Sequence, residues 1–533
     1  MPNCRFLRIP VTQGGWIDNH ADMFDPPQLF IAHYAARHAL AQPDKPCLIC
    51  RDTALSWRDF DQATARVAGA LLRDGCGRGD TVGLLTDSSA EAVIAYFGTL
   101  RSGATVAGLP TMASAETLAT MVADSGARLV LASGACLDKL AGVAVRRVAL
   151  DGVADGALSW GAWLRGAEPA PPAASQGQDI ACLIYSSGTT GVPKGIALTQ
   201  QSRLSHAMIM SAELRYDSEA VVIVTTPMHS NTAWTLVLCA LFTGATMVIM
   251  PRWNGADFAA QVERWRGSHT IMVPTQFEDL LAAQKQAPRD LSSLRSLTTA
   301  GSSMRQPVKE AVVATFPCSL FEVYGLTEGF AVVRRPEDPP HALMSVGRAM
   351  MGNDVRLIDD DGRAVPPGQP GEIVGHGPIL MAGYHNRPDE TARMLWRNPE
   401  NGLPYLRSGD IGRIDEHGYL YIVDRKKDMI LSGGYNVFPA DIELVLGQRA
   451  DLVDLCVIGV PHPRWGETPL ALVGAADGSD VNADELRDWA NARLDKHQRL
   501  AGVEVRHSLP RNPTGKILRR ELRAPYWAKE TAS

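Results

Sequence analysis

The run Tyr185-Ser-Ser-Gly-Thr-Thr-Gly-Val-Pro-Lys-Gly195 sits between two short apolar segments, and it constrains the fold more than any other stretch. Ile180-Ala-Cys-Leu-Ile-Tyr185 reads as a buried strand, Ile196-Ala-Leu198 as a second strand, and a helix begins only after Thr199. Glycines at 188, 191 and 195 let backbone N–H groups approach an anion closely. Ser186, Ser187, Thr189 and Thr190 add hydroxyl donors, and Lys194 adds a mobile positive charge. Such a loop is suited to a polyphosphate. A Walker A loop ends in Gly-Lys-Ser/Thr and opens directly into a helix. Here Pro193 precedes the lysine, Gly195 follows it, and the loop joins two strands, so a Walker-type nucleotidase is excluded.

The surrounding pattern is α/β. Asp80-Thr-Val-Gly-Leu-Leu85 and Ala127-Arg-Leu-Val-Leu-Ala132 read as buried strands. Ser88 to Leu100 reads as a helix with Ser88 or Ser89 at its N-cap. Such α/β units continue to about Tyr324. From Gly347 to Val423 short strands alternate with Asp361-Gly362, Pro366-Pro-Gly368 and His417-Gly418 turns, which predicts a β-barrel-like subdomain. An α/β pattern resumes after Lys427. The expected organisation is a large N-terminal domain, residues 1–424, and a small mobile α/β C-terminal domain, residues 425–533. A chain of 533 residues exceeds what one core holds.

The formal net charge of −6 excludes nucleic acid as the main partner, because neutralising phosphates needs a basic surplus. The uncharged stretch Ala220–Pro251 contains Pro227, His229, Asn231 and Gly244. It therefore reads as strand, loop, buried helix and strand rather than a membrane span. The nine cysteines form no disulfide or zinc framework, and Cys47 and Cys50 read as buried strand thiols. With no signal-peptide pattern, the expected location is cytoplasmic. A homodimer is compatible with everything above.

Five further segments carry chemistry. Glu322-Val-Tyr-Gly-Leu-Thr-Glu328 offers one hydroxyl and one carboxylate to Mg²⁺–ATP, since Mg²⁺ takes one or two carboxylates together with phosphate oxygens. Thr299-Ala-Gly-Ser-Ser303 lies between a strand and a helix, where small residues admit a ligand and a serine can cap the helix. Asp410, in Tyr405-Leu-Arg-Ser-Gly-Asp-Ile411, offers a carboxylate able to accept two hydroxyl protons, as the acidic residue of dinucleotide folds does. Asp424-Arg-Lys-Lys-Asp-Met-Ile-Leu-Ser-Gly-Gly-Tyr-Asn-Val-Phe-Pro439 and Pro510-Arg-Asn-Pro-Thr-Gly-Lys-Ile-Leu-Arg-Arg520 complete an ordered series.

In order and spacing these segments resemble the AMP-forming adenylating superfamily of acyl-CoA synthetases, luciferases and peptide-synthetase adenylation domains, most closely an acid–CoA ligase. The resemblance runs from about Phe30 to Leu522. It implies ATP, Mg²⁺ and coenzyme A as cofactors and a small carboxylic acid as substrate. It places Ser186, Ser187, Gly188, Thr189, Thr190, Gly191, Lys194, Gly301, Ser302, Glu322, Tyr324, Gly325, Thr327, Asp410, Arg425 and Lys516 around ATP. Tyr324 stacks on adenine, Glu328 holds the metal, and Lys516 stabilises charge developing between the carboxylate and the α-phosphate. Lys427 is implied as the hinge, and Ser432, Gly433, Gly434 and Trp465 as the path of coenzyme A. Trp465 reads equally as an aromatic in a surface turn.

The chain also departs from the family. His497-Gln-Arg-Leu500 stands where many relatives carry Tyr-Lys-x-Pro, so Arg499 or Arg506 must replace the lysine. Pro227-Met-His229 is one residue shorter than the family's acyl-pocket segment, which leaves His229 as the histidine at the pocket entrance or as a structural histidine. The acid pocket is expected from His229, Trp234, Gln276, Phe277, Ser302 and Phe330, a mixed lining suited to an aromatic, alicyclic or medium-chain acid. The alternatives are a stand-alone adenylating enzyme that loads a carrier protein, and a nucleotide sensor without turnover.

Overall fold

The computed structural model describes residues 29–152, 156–186, 193–449, 451–476, 479–511 and 517–530. Two large sheets form its centre. One has nine strands, ordered from Arg348–Ala349 at one edge through Gly329–Arg334, Ser319–Leu326, Ser296–Ala300, His269–Met272, Val221–Val224, Thr246–Ile249 and Pro46–Cys50 to Thr53–Ser56. The other has eight, with Ile180–Ser186 and Lys194–Thr199 beside Thr105–Gly108 and Thr81–Leu85. From Pro46–Cys50 to Ser319–Leu326 the strands of the first sheet pair parallel, as do Ile180–Ser186, Thr105–Gly108 and Thr81–Leu85 in the second, because chains that return through helices must pair so; Gly329–Arg334 and Lys194–Thr199 join as antiparallel neighbours.

The helices Ala90–Arg101, Gln200–Glu213 and Asn231–Thr243 share one core with the facing sides of both sheets. The last is apolar all round, and every residue from Ala233 to Leu241 is buried, as befits a helix between two layers. Separate cores cover the outer faces. Phe258, Phe277 and Leu297 belong to one, Leu118, Leu131's neighbour Val130 and Leu183 to the other. The result is five layers, helix–sheet–helix–sheet–helix.

A third, five-stranded antiparallel sheet contains Asp354–Ile358, Pro370–His376, Leu395–Arg397, Pro404–Ile414 and Leu420–Arg425, in the segment expected to be β-rich. The chain leaves it at Arg425 and enters a fourth sheet at Ile430. That sheet is covered by Pro439–Leu446 and Ala483–Asn491 on one face, and by Arg519–Glu530 on the other. Among the described residues no helix is long and apolar enough to cross a membrane.

Candidate active site

Ile180–Ser186 and Lys194–Thr199 pair antiparallel with Ser186 opposite Lys194, and Thr199 caps the helix Gln200–Glu213 by accepting the Ser202 N–H at 3.0 Å. The glycine-rich loop therefore joins two paired strands, as its sequence requires. Ser187, Gly188, Thr189, Thr190 and Gly191 lie outside the described residues, as does Lys516. Both ends of the loop are packed against their neighbours. The Tyr185 hydroxyl donates to Asp124 Oδ2 at 2.8 Å, and a Cβ at Gly195 would press on His385 and the Tyr185 ring at 3.3 Å.

Thr327 and Glu328 form the two-residue turn of a hairpin between Ser319–Leu326 and Gly329–Arg334. The strand continues through Tyr324-Gly325, with a shift of register between Gly325 and Leu326. Gly329 has φ +150° and its hydrogens face Leu380, whose Cα would lie 2.8 Å from a Cβ. Tyr384, which no motif singles out, joins this turn to the loop. Its hydroxyl donates to Glu328 Oε1 at 2.9 Å, and Lys194 Nζ lies 5.3 Å from its ring centre while pairing with Glu390. Burial, then the Glu328 charge, raises the Tyr384 pKa above its ordinary value, so the phenol stays a donor. The signal for it is Gly383-Tyr384, where Gly383 at φ +151° passes Thr391 too closely for a side chain.

The Tyr324 hydroxyl donates to Asp410 Oδ2 at 2.8 Å, and Arg425 Nε lies 3.4 Å from Asp410 Oδ1. Asp410 and Arg425 are direct partners across neighbouring strands. Three motifs separated by many residues thus meet in one donor–acceptor cluster. Gly301, at φ +89°, and Ser302 lie exposed just after the strand Ser296–Ala300. Neither serine there caps the next helix. Gln306–Thr315 starts at Arg305 with Pro307 in its first turn.

Several expected positions prove to be structural. Glu322 is buried and paired with Lys309 Nζ at 2.5 Å, with Arg334 Nε at 3.8 Å, so its carboxylate is committed away from a nucleotide. Trp234 stacks on Tyr96 with ring centres 3.5 Å apart inside the central core. Phe277 is packed in the outer core of the nine-stranded sheet. The Phe330 ring fills the space over Gly375, where a Cβ would lie 2.1 Å from it. Gln276 caps its own helix by accepting the Val273 N–H at 3.1 Å. Of the expected acid lining, His229 and Ser302 stay unfilled by the core. Burial holds His229 below its ordinary pKa, and its Nδ1 has no hydrogen-bond partner. Nearby Asp87 also borders a cavity of about 630 Å³ lined by charges of both signs, including Arg51, Asp151 and Arg252.

Beyond the third sheet, Lys427 is exposed in the turn after Arg425. Ser432 ends the strand Ile430–Ser432, and Gly433 and Gly434, at φ +60° and +86°, make the tight turn that follows. Gly433 N–H donates to the Trp465 carbonyl at 2.8 Å, and a Cβ at Gly433 would touch the Trp465 ring at 3.5 Å. Trp465 is 46% exposed and stacks on His462 at 4.3 Å. Of the two candidate replacements for the missing lysine, Arg506 is held by Glu504 and the Tyr526 hydroxyl, whereas Arg499 is exposed.

Mg²⁺ fits the turn. One oxygen of Glu328 is oriented by Tyr384, and Thr327 stands beside it, matching an ion that draws most of its ligands from phosphate and water. The Thr327-Glu328 hairpin turn and the Tyr324–Asp410–Arg425 cluster lie in a large α/β domain followed by a small one, the architecture of adenylate-forming enzymes. The model of the AMP-binding enzyme matches residues 35–385 and that of the AMP-binding enzyme C-terminal domain matches residues 441–516; the chain belongs to this AMP-binding enzyme family. It is 32% identical to a feruloyl-CoA synthase of Amycolatopsis sp, over 93% of this chain and 99% of that one. It is likewise 32% identical to the long-chain-fatty-acid–CoA ligase FadD13 of Mycobacterium tuberculosis, over 90% of this chain and 94% of that one. ATP-bound MatB from Rhodopseudomonas palustris superposes with a TM-score of 0.85 at 26% identity, covering 93% and 99% of the two chains.

Proposed function

We infer that this protein is an AMP-forming acid–CoA ligase that activates an aromatic, alicyclic or medium-chain carboxylic acid. The observation that supports this most is the convergence of Lys194, Glu328 and Tyr384 on one side and Tyr324, Asp410 and Arg425 on the other. The acid's carboxylate attacks the α-phosphorus of ATP, pyrophosphate leaves, and an acyl adenylate forms. A thiolate of coenzyme A then attacks the acyl carbonyl and AMP leaves. Bound Mg²⁺ neutralises phosphate charge and orients the leaving group.

The chain's own residues position and neutralise. Asp410 holds the ribose, with Tyr324 and Arg425 fixing its orientation, and Lys194 meets the leaving phosphates once drawn from Glu390. Lys516 supplies positive charge in the first step. Lys427 is the hinge between a 1–424 domain and a 425–533 domain. Rotation there replaces Lys516 with the Ser432–Gly434 turn and Trp465 for the second step. Arg499, exposed where Arg506 is engaged, meets the nucleotide end of coenzyme A. The described cysteines are all free thiols, which supports a reducing, cytoplasmic setting.

Pyrophosphate release measured over a panel of carboxylic acids, with and without coenzyme A, tests this reading. Acid-dependent release followed by acyl-CoA formation is expected. Acyl transfer only to a holo-carrier protein would move the enzyme to the carrier-loading group, and ATP binding without acid-dependent release would make it a sensor.

A further inference from the structure

Arg203 lies in the helix Gln200–Glu213 with 2% of its surface exposed. Its Nη1 donates to Asn231 Oδ1 at 2.8 Å. Its Nε and Nη2 are buried and have no hydrogen-bond partner, and no described carboxylate pairs with it. The groups around it are neutral. Burial, and then Arg203 itself, holds His206 well below its ordinary pKa, while burial raises the Tyr96 hydroxyl and the Cys182 thiol above theirs. His206 is further occupied by Thr235 Oγ1 at 2.9 Å, and the Tyr96 hydroxyl, a neutral group, lies beside the Cys182 thiol and the guanidinium.

A guanidinium cannot shed its proton, so burial does not neutralise it as it neutralises a lysine or histidine. A buried charge is ordinarily paired, and this one is not. The two orphaned nitrogens are informative because Nε and Nη2 share one edge of the guanidinium. That edge takes a carboxylate through two parallel N–H···O bonds. A hydroxyl or ether would occupy one donor and leave the charge unbalanced.

The location says whose carboxylate it is. Asn231, the fixed partner of Arg203, is the first residue of the helix Asn231–Thr243 and lies two residues beyond His229. Ser230 between them caps that helix by accepting the Ala233 N–H at 3.2 Å. The guanidinium therefore stands behind the segment that carries the expected entrance to the acid pocket. Trp234, one turn further along the helix, stacks on Tyr96 and keeps the surroundings apolar.

We propose that Arg203 receives a second, distal carboxylate of the substrate, making this enzyme a ligase for acids that carry two anionic groups. The proposal rests on the acid–CoA ligase reading and narrows it. One carboxylate is adenylated, and the other supplies the counter-charge that the protein itself lacks.

The test compares adipate with hexanoate, and terephthalate with benzoate, in the wild-type enzyme and in Arg203→Met and Arg203→Lys. The ratio of kcat/KM for the diacid to that for the monoacid is read from pyrophosphate release. It is expected to favour the diacid in the wild type, to fall by roughly 100-fold in Arg203→Met, and to recover in part in Arg203→Lys. Calorimetric binding of the same diacids gives a readout that does not need turnover, and binding lost in Arg203→Met supports the site even if no acid is adenylated. The proposal is overturned if the wild type favours monoacids throughout, or if Arg203→Met leaves the ratio and the diacid affinity where they were. It is also overturned if both substrates decline together in Arg203→Lys, the variant that keeps the charge.

Discussion

At the scale of single residues, Glu322 and Tyr384 exchange the importance their sequences suggest. Glu322 stands inside the Glu322–Glu328 signature, yet its carboxylate is consumed by Lys309 and Arg334. Burial raises its pKa and lowers that of Lys309, and each partner pulls the other back towards its charged form. Removing one member of such a pair leaves a buried charge uncompensated, so Lys309→Met should lower stability by about 3–5 kcal/mol in urea unfolding. Adding Glu322→Gln should restore part of that loss, and a single-variant cost below about 1 kcal/mol would show the pair to be dispensable. Tyr384→Phe should leave folding intact but raise the Mg²⁺ concentration needed for half-maximal pyrophosphate release several-fold, since a freed Glu328 loses its orientation. An unaltered Mg²⁺ curve would remove Tyr384 from the site. Neither contact is legible locally, because Lys309 and Glu322 lie on different elements and Tyr384 is distant from both Lys194 and Glu328 in sequence. The motif residues Asp410, Tyr324 and Arg425 were legible one by one, but their mutual hydrogen bonding is a property of strand register.

At the scale of elements, hydrophobic runs and caps located most of what positions the site. Thr81–Leu85, Ala127–Ala132, the helix Ala90–Arg101 with Ser89 at its N-cap, and the strand–helix–strand of 221–249 form where their patterns place them. The misreadings have local causes. Pro307, fixed in φ and lacking an N–H, is favoured in a first turn, so the helix Gln306–Thr315 begins beyond Ser302 and Ser303 and leaves them exposed. The Tyr-Gly pair at 324–325 stays in a strand, and Gly329, the first residue of the returning strand, takes the backbone conformation that the hairpin needs. Large aromatics are the hardest to place from sequence, because a core position and a pocket wall demand the same residue types. Trp234, Phe277 and Phe330 all went to the core. The contrast between the two serine segments is measurable. Ser89→Ala should cost about 1 kcal/mol because the side chain accepts the Ala92 N–H, while Ser303→Ala should fall within about 0.5 kcal/mol of the wild type in the same unfolding assay. Equal costs would mean that the cap is not what Ser89 contributes.

At the scale of the whole molecule, Asp424 is the last acid before the expected hinge. Its Oδ1 accepts the Arg425 N–H at 2.6 Å and its Oδ2 the Ala440 N–H at 3.1 Å, so it ties the strand Leu420–Arg425 to the first turn of Pro439–Leu446. Burial pushes its pKa up from 3.8 to about 6, opposed by Arg519 and the two backbone donors and reinforced by Glu443. A carboxyl raised on folding binds its proton more tightly in the native state than in the unfolded chain. Its contribution is therefore fully present below about pH 3.8 and is lost as pH rises through about 6. Asp424→Asn should remove that slope and gain up to about 3 kcal/mol on the wild type between pH 4 and pH 7, read from unfolding midpoints at each pH. A gap independent of pH would assign the effect to packing instead. Because Asp424 precedes Lys427 and Ala440 follows it, rotation at Lys427 has to break the Asp424–Ala440 bond. Proline at 427 fixes φ near −65° and blocks that rotation. Lys427→Pro should therefore keep acid-dependent pyrophosphate release but lose thioester formation from supplied acyl-AMP by at least tenfold, whereas Lys516→Ala should do the reverse. If Lys427→Pro forms thioester at the wild-type rate, the two half-reactions share one arrangement of the domains and the hinge lies elsewhere.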